Sequence, residues 1–257
     1  MLADTRDDKE KQTGRIVNGT LSVRGSAPWL ARLWDRRLRK HFCGASIINR
    51  AWILTAAHCI ITSGILKEDL VVRVGDFDTL SRESGEQLLT VSEIIVYENY
   101  NHELYDGDIA LIKLAEHIEA FDDYVRPICI PNATVGDSII TPGVKGQVVG
   151  WGRVSENGHY SQFMKEVKLQ VRDEWKCEQS TGYLVTRNMF CAGSPKREGD
   201  ACDGDSGGSF AVEDEDGRWY LAGVVSWGEG CAREGKYGFY TKVPLFYEWI
   251  HNTIANH

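Results

Sequence analysis

The chain has 257 residues, a formal net charge of −8, 42% hydrophobic residues and 26% charged residues. That is enough chain to bury a core as one large or two small domains, in the ordinary composition of a soluble globular protein. No apolar run reaches the length of a membrane span, and the acidic balance argues against nucleic acid as a partner. Glycine is abundant (26) and proline scarce (6), a mix that suits many strands joined by tight turns. Seven cysteines point to an oxidising compartment. A zinc site would need close-set ligand pairs, and only His58-Cys59 is adjacent. The sequons at Asn18 and Asn132 are compatible with secretion and are candidate glycosylation sites. Residues 1–15 are polar and carry no signal peptide, so the chain is expected to be the C-terminal part of a longer secreted protein.

Residues 1–14 are charged and read as a linker. At Gly14-Arg15-Ile16-Val17 a basic residue meets an abrupt apolar start. Either the linker joins the first strand there, or the chain is cut after Arg15. Cutting would create an ammonium at Ile16 that needs a buried carboxylate, and Asp205 is the candidate. Trp29–Trp34 reads as a strand. The basic turn Arg36, Arg37, Arg39 and Lys40 follows, either a solvated face or an attachment site for an acidic partner. Cys43–Ile48 and Trp52–Thr55 read as buried strands leading into Thr55-Ala-Ala-His58-Cys59. Small neighbours would hold that imidazole tightly.

The strand 70–74 precedes an acidic loop with Asp76, Asp78, Glu83 and Glu86. It is either a set of hard oxygen donors for Ca²⁺ or an ordinary acidic surface. The strand 94–96 leads to Asp108-Ile-Ala-Leu-Ile, where an aspartate opening a buried strand needs partners for its charge. Asp106-Gly107 reads as turn chemistry alone. Residues 121–145, with Pro127, Pro131 and Pro142, read as a crossover without periodicity. A second run of strands spans Gln147 to about Val243, and Phe246–Ile254 has the spacing of a closing helix.

The stretch that organises the chain is Gly199-Asp-Ala-Cys-Asp-Gly-Asp-Ser206-Gly-Gly. Glycines permit sharp turns and close approach of a ligand backbone. Ser206 is thereby presented on an open loop, and a serine hydroxyl becomes a nucleophile when an adjacent base takes its proton. The alternative is a turn closed by a disulfide at Cys202.

Arg15-Ile-Val-Asn-Gly, Thr-Ala-Ala-His58-Cys, Asp108-Ile-Ala-Leu, Gly150-Trp-Gly152, Gly-Asp-Ser206-Gly-Gly and Val225-Ser-Trp-Gly228 occur in family order along nearly the whole chain. Together they resemble the chymotrypsin/trypsin family of serine proteases. The resemblance implies an all-β fold of two six-stranded antiparallel barrels with the active site between them and a C-terminal helix. The expected layout is a remnant of an activation peptide at 1–15, a first barrel at 16–125, a second at 126–245 and the helix at 246–257. By the same resemblance His58 is the general base, Asp108 its orienter and Ser206 the nucleophile. The amides of Gly204 and Ser206 form the oxyanion hole. Asp200 is the pocket floor beside Ala201, with Trp227, Gly228 and Gly238 as walls, and it selects Arg or Lys before the scissile bond. Ala201 replaces a serine found in trypsin, which favours arginine because a guanidinium can engage Asp200 bidentately. Tyr105 narrows the next subsite, and Asp203 at the cleft rim disfavours acidic residues.

Gly228–Tyr240 is similar to the segment of the clotting and complement proteases, of thrombin- or protein C-like type. Tyr237 there accompanies a Na⁺ site of carbonyls, those of Arg233 and Lys236 in this chain. The acidic loop resembles the family's Ca²⁺ loop, with Asp76, Asp78, Ser81, Glu83 and Glu86 as ligands. No cofactor serves the chemistry. The basic turn matches an exosite. The implied disulfides are Cys43–Cys59, Cys177–Cys191 and Cys202–Cys231. Cys129 is left to bond an upstream regulatory domain. Ser209 departs from the usual proline. The expected function is that of a secreted endopeptidase cleaving after Arg through an acyl-enzyme, made as a zymogen cut at Arg15–Ile16, in a clotting- or complement-type cascade. Its expected partners are protein substrates and protease inhibitors. A non-catalytic binding homologue and a digestive trypsin are the alternatives.

Overall fold

A computed structural model of the protein describes residues 19–194 and 199–257. Arg15, Ile16 and Asn18 lie outside the described residues. The first half folds as a closed barrel in the order β2-β3-β4-β7-β6-β5. Its strands are β2 (Leu30–Asp35), β3 (Lys40–Ile47), β4 (Trp52–Thr55), β5 (Leu70–Val74), β6 (Gln87–Val96) and β7 (Ala110–Leu114). All its pairs are antiparallel, closed by β2 on β5 from Ala31↔Val74 to Asp35↔Leu70. Closure removes unpaired edges. The interior holds Leu33, Ala45, Ile53, Val72, Leu111 and Ile112, all fully buried.

The second half differs from the expected six-stranded barrel. It forms a seven-stranded sheet in the order β1-β9-β8-β11-β12-β13-β10. These strands are β1 (Thr20–Leu21), β8 (Lys145–Gly150), β9 (Lys165–Gln170), β10 (Met189–Ala192), β11 (Ser209–Glu213), β12 (Trp219–Gly228) and β13 (Gly238–Lys242). The seventh strand is the two-residue β1, contributed by the start of the chain and paired with β9. A single bridge, Val171↔Ala192, draws the far rims of the sheet together. Phe190, Phe210 and Tyr240 pack face and edge in its core, with ring centroids 4.8–5.2 Å apart. Gly146 is required there, because a Cβ would fall 2.0 Å from the Phe210 ring.

Three short helices escape a periodicity reading: α1 (Ala57–Ser63), α2 (Ala133–Ile139) and α3 (Glu174–Gln179). The supposedly irregular crossover therefore contains a helix, started by Asn132, whose side chain accepts the Val135 amide at 3.0 Å. The closing helix α4 (Tyr247–Asn256) sets Phe246, at its entry, and Ile250 into the first-barrel core. The Phe246 and Trp249 rings stand edge-on to Tyr97 at 5.1 and 5.4 Å. No described helix is long and apolar enough to cross a membrane.

Candidate active site

His58 sits in the first turn of α1, and the helix is pinned by its neighbour Cys59 bonded to Cys43 of β3. Gly64, at φ +57°, ends the helix and returns its amide to Ile60 and Ile61. Asp108 lies just before β7 and is fully buried. Its Oδ1 accepts the His58 backbone amide at 2.8 Å, and Oδ2 lies 2.7 Å from His58 Nδ1. Oδ2 also accepts the Ser226 hydroxyl at 2.5 Å. Thr241 Oγ1 bonds the Asp108 carbonyl at 2.8 Å. The buried carboxylate is thereby surrounded by hydrogen-bond donors. The same bonds orient the imidazole with Nδ1 toward Asp108, and Nε2 lies 3.8 Å from Cys59 Sγ.

Ser206 and His58 line one cavity of about 210 Å³, together with Tyr105, Asp200, Ala201, Asp203, Trp227, Gly228 and Gly238. The loop is held by Gly44 N to Ser206 O at 2.8 Å and Gly207 N to Val225 O at 2.8 Å. Gly207, at φ +79°, cannot carry a side chain, since a Cβ would lie 2.3 Å from Thr55 Oγ1 and 2.5 Å from Gly44 O. Gly204 also takes a positive φ, +94°. Among the described residues no protein acceptor takes the amides of Gly204 and Ser206, and no hydrogen bond joins Ser206 Oγ to His58 Nε2. Such bonds commonly tighten only around substrate.

At the base of the cavity Asp200 Oδ2 accepts the Ala232 amide at 3.0 Å, while buried Oδ1 has no partner among the described residues. Burial pushes this carboxyl up to about 7, against the pull of the Ala232 and Ala201 amides. A Cβ on Gly238 would lie 3.1 Å from Oδ1, so the glycine keeps that oxygen accessible. The Cys202–Cys231 bond ties the loop beside Asp200 to the wall around Gly228. Asp205 turns the other way. Its oxygens accept the amides of Gly152 and Cys202 at 2.8 and 3.0 Å, and burial pushes it up to about 6. Asp203 reaches the cavity, and its carboxylate lies 3.3 Å from Arg153 Nε.

Several working residues were not singled out from the sequence. Ser226 is one. Another is His41, whose Nε2 lies 2.9 Å from the Gly204 carbonyl; burial holds it neutral, with a pKa lowered to about 3. Asp106 is more than turn chemistry. Its Oδ1 accepts Asn188 Nδ2 at 2.9 Å and Thr186 Oγ1 at 2.5 Å, anchoring the loop that carries Tyr105. That tyrosine stands edge-on to His58 at 5.6 Å, with φ +55°.

The other expected sites are dispersed. The Cys177–Cys191 bond is present and Cys129 is free and exposed. Arg233 and Lys236 share a turn, in which the Lys236 amide donates to the Arg233 carbonyl at 3.2 Å. In the basic turn Arg37 folds back onto Asp35 and Asp69, leaving Arg36, Arg39 and Lys40 exposed. Of the five expected calcium ligands, carboxylate oxygens of Asp76, Glu83 and Glu86 gather within 4.8 Å of one another. Asp78 instead serves the Leu80 amide and Gln162 at 3.0 and 2.9 Å, and the amide of Ser81 turns to the Asp78 carbonyl at 3.2 Å. The gathered carboxylates already face cations: Asp76 pairs with Arg32, and Glu86 with Arg73 at 2.5 Å. A divalent ion fits this arrangement poorly.

Comparison with known proteins agrees with the geometry. The Trypsin family model matches residues 16–250. Vitamin K-dependent protein C of Rattus norvegicus is 39% identical over 257 residues, covering 97% of this chain and 54% of that protein. Vitamin K-dependent protein C of Mus musculus is 40% identical over 256 residues, with the same shares. The chain thus spans about half the length of the curated relatives it matches. With a His–Asp pair beside a glycine-framed serine, and with family likeness along nearly its whole length, the chain belongs to the trypsin family of serine proteases and is a trypsin-like serine endopeptidase.

Proposed function

We propose that the protein cleaves peptide bonds after arginine, in preference to lysine, by an acyl-enzyme mechanism. Ser206 Oγ attacks the scissile carbonyl carbon and its proton passes to His58 Nε2. Asp108 stabilises the resulting imidazolium. The amides of Gly204 and Ser206 receive the oxyanion. As the C–N bond breaks, His58 returns the proton to the leaving amine. Water then repeats the cycle on the acyl ester and frees Ser206. The observation that carries the specificity is Asp200 Oδ1, buried without a partner among the described residues in the cavity shared by His58 and Ser206. A guanidinium supplies two donors in the geometry of a carboxylate, whereas an ammonium would rely on the hydroxyl that Ala201 lacks.

The same reading includes secretion, supported by three disulfides, and activation by cleavage at Arg15–Ile16. The new Ile16 ammonium would join Asp205, whose described partners are amides alone. Cys129 would bond an upstream regulatory segment, and Arg36, Arg39 and Lys40 would attract an acidic partner in a clotting-type cascade. Carbonyls of Arg233 and Lys236 would hold Na⁺, so exchange of Na⁺ for choline at constant ionic strength lowers activity. A calcium ion is not part of this reading, because guanidiniums already face the acidic loop. The test is hydrolysis of matched arginyl and lysyl amides before and after cleavage at Arg15. The reading expects turnover only after cleavage, faster for arginine. No turnover after cleavage supports a non-catalytic homologue; equal rates remove the arginine preference.

A further inference from the structure

The loop between β5 and β6 buries Asp76 and Glu86. Asp76 Oδ2 is paired with Arg32, whose side chain is 4% exposed. Arg32 comes from the neighbouring strand β2, directly across from Arg73, and its guanidinium lies 5.1 Å from the centre of the Trp151 ring. Arg73 of β5 reaches Glu86 Oε1 through Nε at 3.0 Å and through Nη2 at 2.5 Å. Its Nε is also 4.0 Å from Asp76. Both oxygens of Glu83 are taken by backbone amides, those of Phe77 at 2.8 Å and Asp78 at 3.0 Å. Of the six carboxylate oxygens on these three residues, only Asp76 Oδ1 and Glu86 Oε2 are buried without a partner among the described residues. Calcium asks for six to eight oxygens and would have to settle beside two fixed cations.

We infer that Arg32 and Arg73 take the place of a metal ion in this loop, so that it is held shut by guanidiniums and the domain's stability is independent of calcium. The fastening reaches the active site by contact. Phe77 O accepts Trp151 Nε1 at 3.0 Å and Met164 N at 3.0 Å. Thr79 N donates to Gln162 O at 2.9 Å. Trp151 adjoins Gly152, whose amide holds Asp205. The clamp therefore secures a seam between the two halves of the fold.

The test is thermal and is independent of which serine reacts. The midpoint of unfolding of the whole chain is measured in EDTA and in 5 mM CaCl₂, with calorimetric titration of CaCl₂ alongside. A resident site at a hundredfold its Kd would raise the midpoint by roughly 5–10 °C. The inference expects a change below about 1 °C and no binding isotherm; a rise of several degrees, or saturable binding, overturns it. R32Q frees Asp76 and is expected to melt lower in EDTA and to recover part of the loss with calcium. Absence of that recovery removes Arg32 from the cation's place. Should R32Q not fold, R32K keeps the charge and is expected to stay calcium-insensitive; a calcium response in R32K counts against the inference.

Discussion

Two regions of the molecule bury carboxylates and meet the burial in opposite ways. The loop between β5 and β6 is met by cations from the barrel strands: Asp76 lies against Arg32 of β2 and Glu86 against Arg73 of β5. Among the described residues the pocket supplies no cation to Asp200, only amides, and leaves Oδ1 without a partner. A buried charge answered from within is architecture, whereas one left unanswered in a cavity is set for a ligand that brings the opposite charge. The difference also separates stability from function, since relieving a charge penalty stabilises and breaking a satisfied pair does not.

One conservative change in each region separates the two kinds of buried carboxylate. D200N takes the charge from under the bound guanidinium, and kcat/KM for arginyl amides is expected to fall by roughly 10²–10⁴. Its stability moves the other way. Because burial raises the Asp200 pKa to about 7, stability associated with its protonation is fully present below about 3.8 and is lost as pH rises through about 7. At pH 8, D200N therefore melts no lower than the parent. D76N leaves Arg32 buried and unpaired, a loss of about 3–5 kcal/mol, read as a lower denaturation midpoint. Equal stability of D76N and the parent would erase the distinction between the regions.

S226A removes the hydroxyl that faces Asp108. Hydrogen bonds to charged groups contribute about 1.5–3 kcal/mol, so kcat is expected to drop roughly 10–150-fold with KM little changed. The smallest effect is on pH dependence. Benzamidine binding, which needs ionised Asp200, is expected to weaken about tenfold between pH 8 and pH 6. Affinity flat across that range would contradict a carboxyl titrating near 7.

The catalytic loop and the His58 and Asp108 segments were legible in the sequence because each is local. Small residues, glycines and a single reactive side chain lie within a few positions of one another. The barrel strands were legible through their short apolar runs. What stayed hidden depends on distant pairing. Ser226 meets Asp108 across 118 residues and His41 meets Gly204 across 163, and neither carries a local sign of the contact. Arg32 in Leu-Ala-Arg-Leu-Trp reads as the outward face of an alternating strand, yet it is buried because Asp76 lies 44 residues on. With that partner out of view, the acidic loop resembled a calcium site. The helices α1, α2 and α3, of seven, seven and six residues, are too short for a periodic pattern. The two-residue β1 turns the second sheet from six strands to seven without any signal of its own.

The central claim is that His58 activates Ser206. It is tested most directly by cutting the chain at Arg15–Ile16, exposing it to a serine-directed organophosphonate and mapping the adduct by peptide mass spectrometry. The expected result is one stoichiometric adduct on Ser206, lost in H58A. An unlabelled Ser206 in the cut protein, or labelling that persists at full rate in H58A, would contradict it.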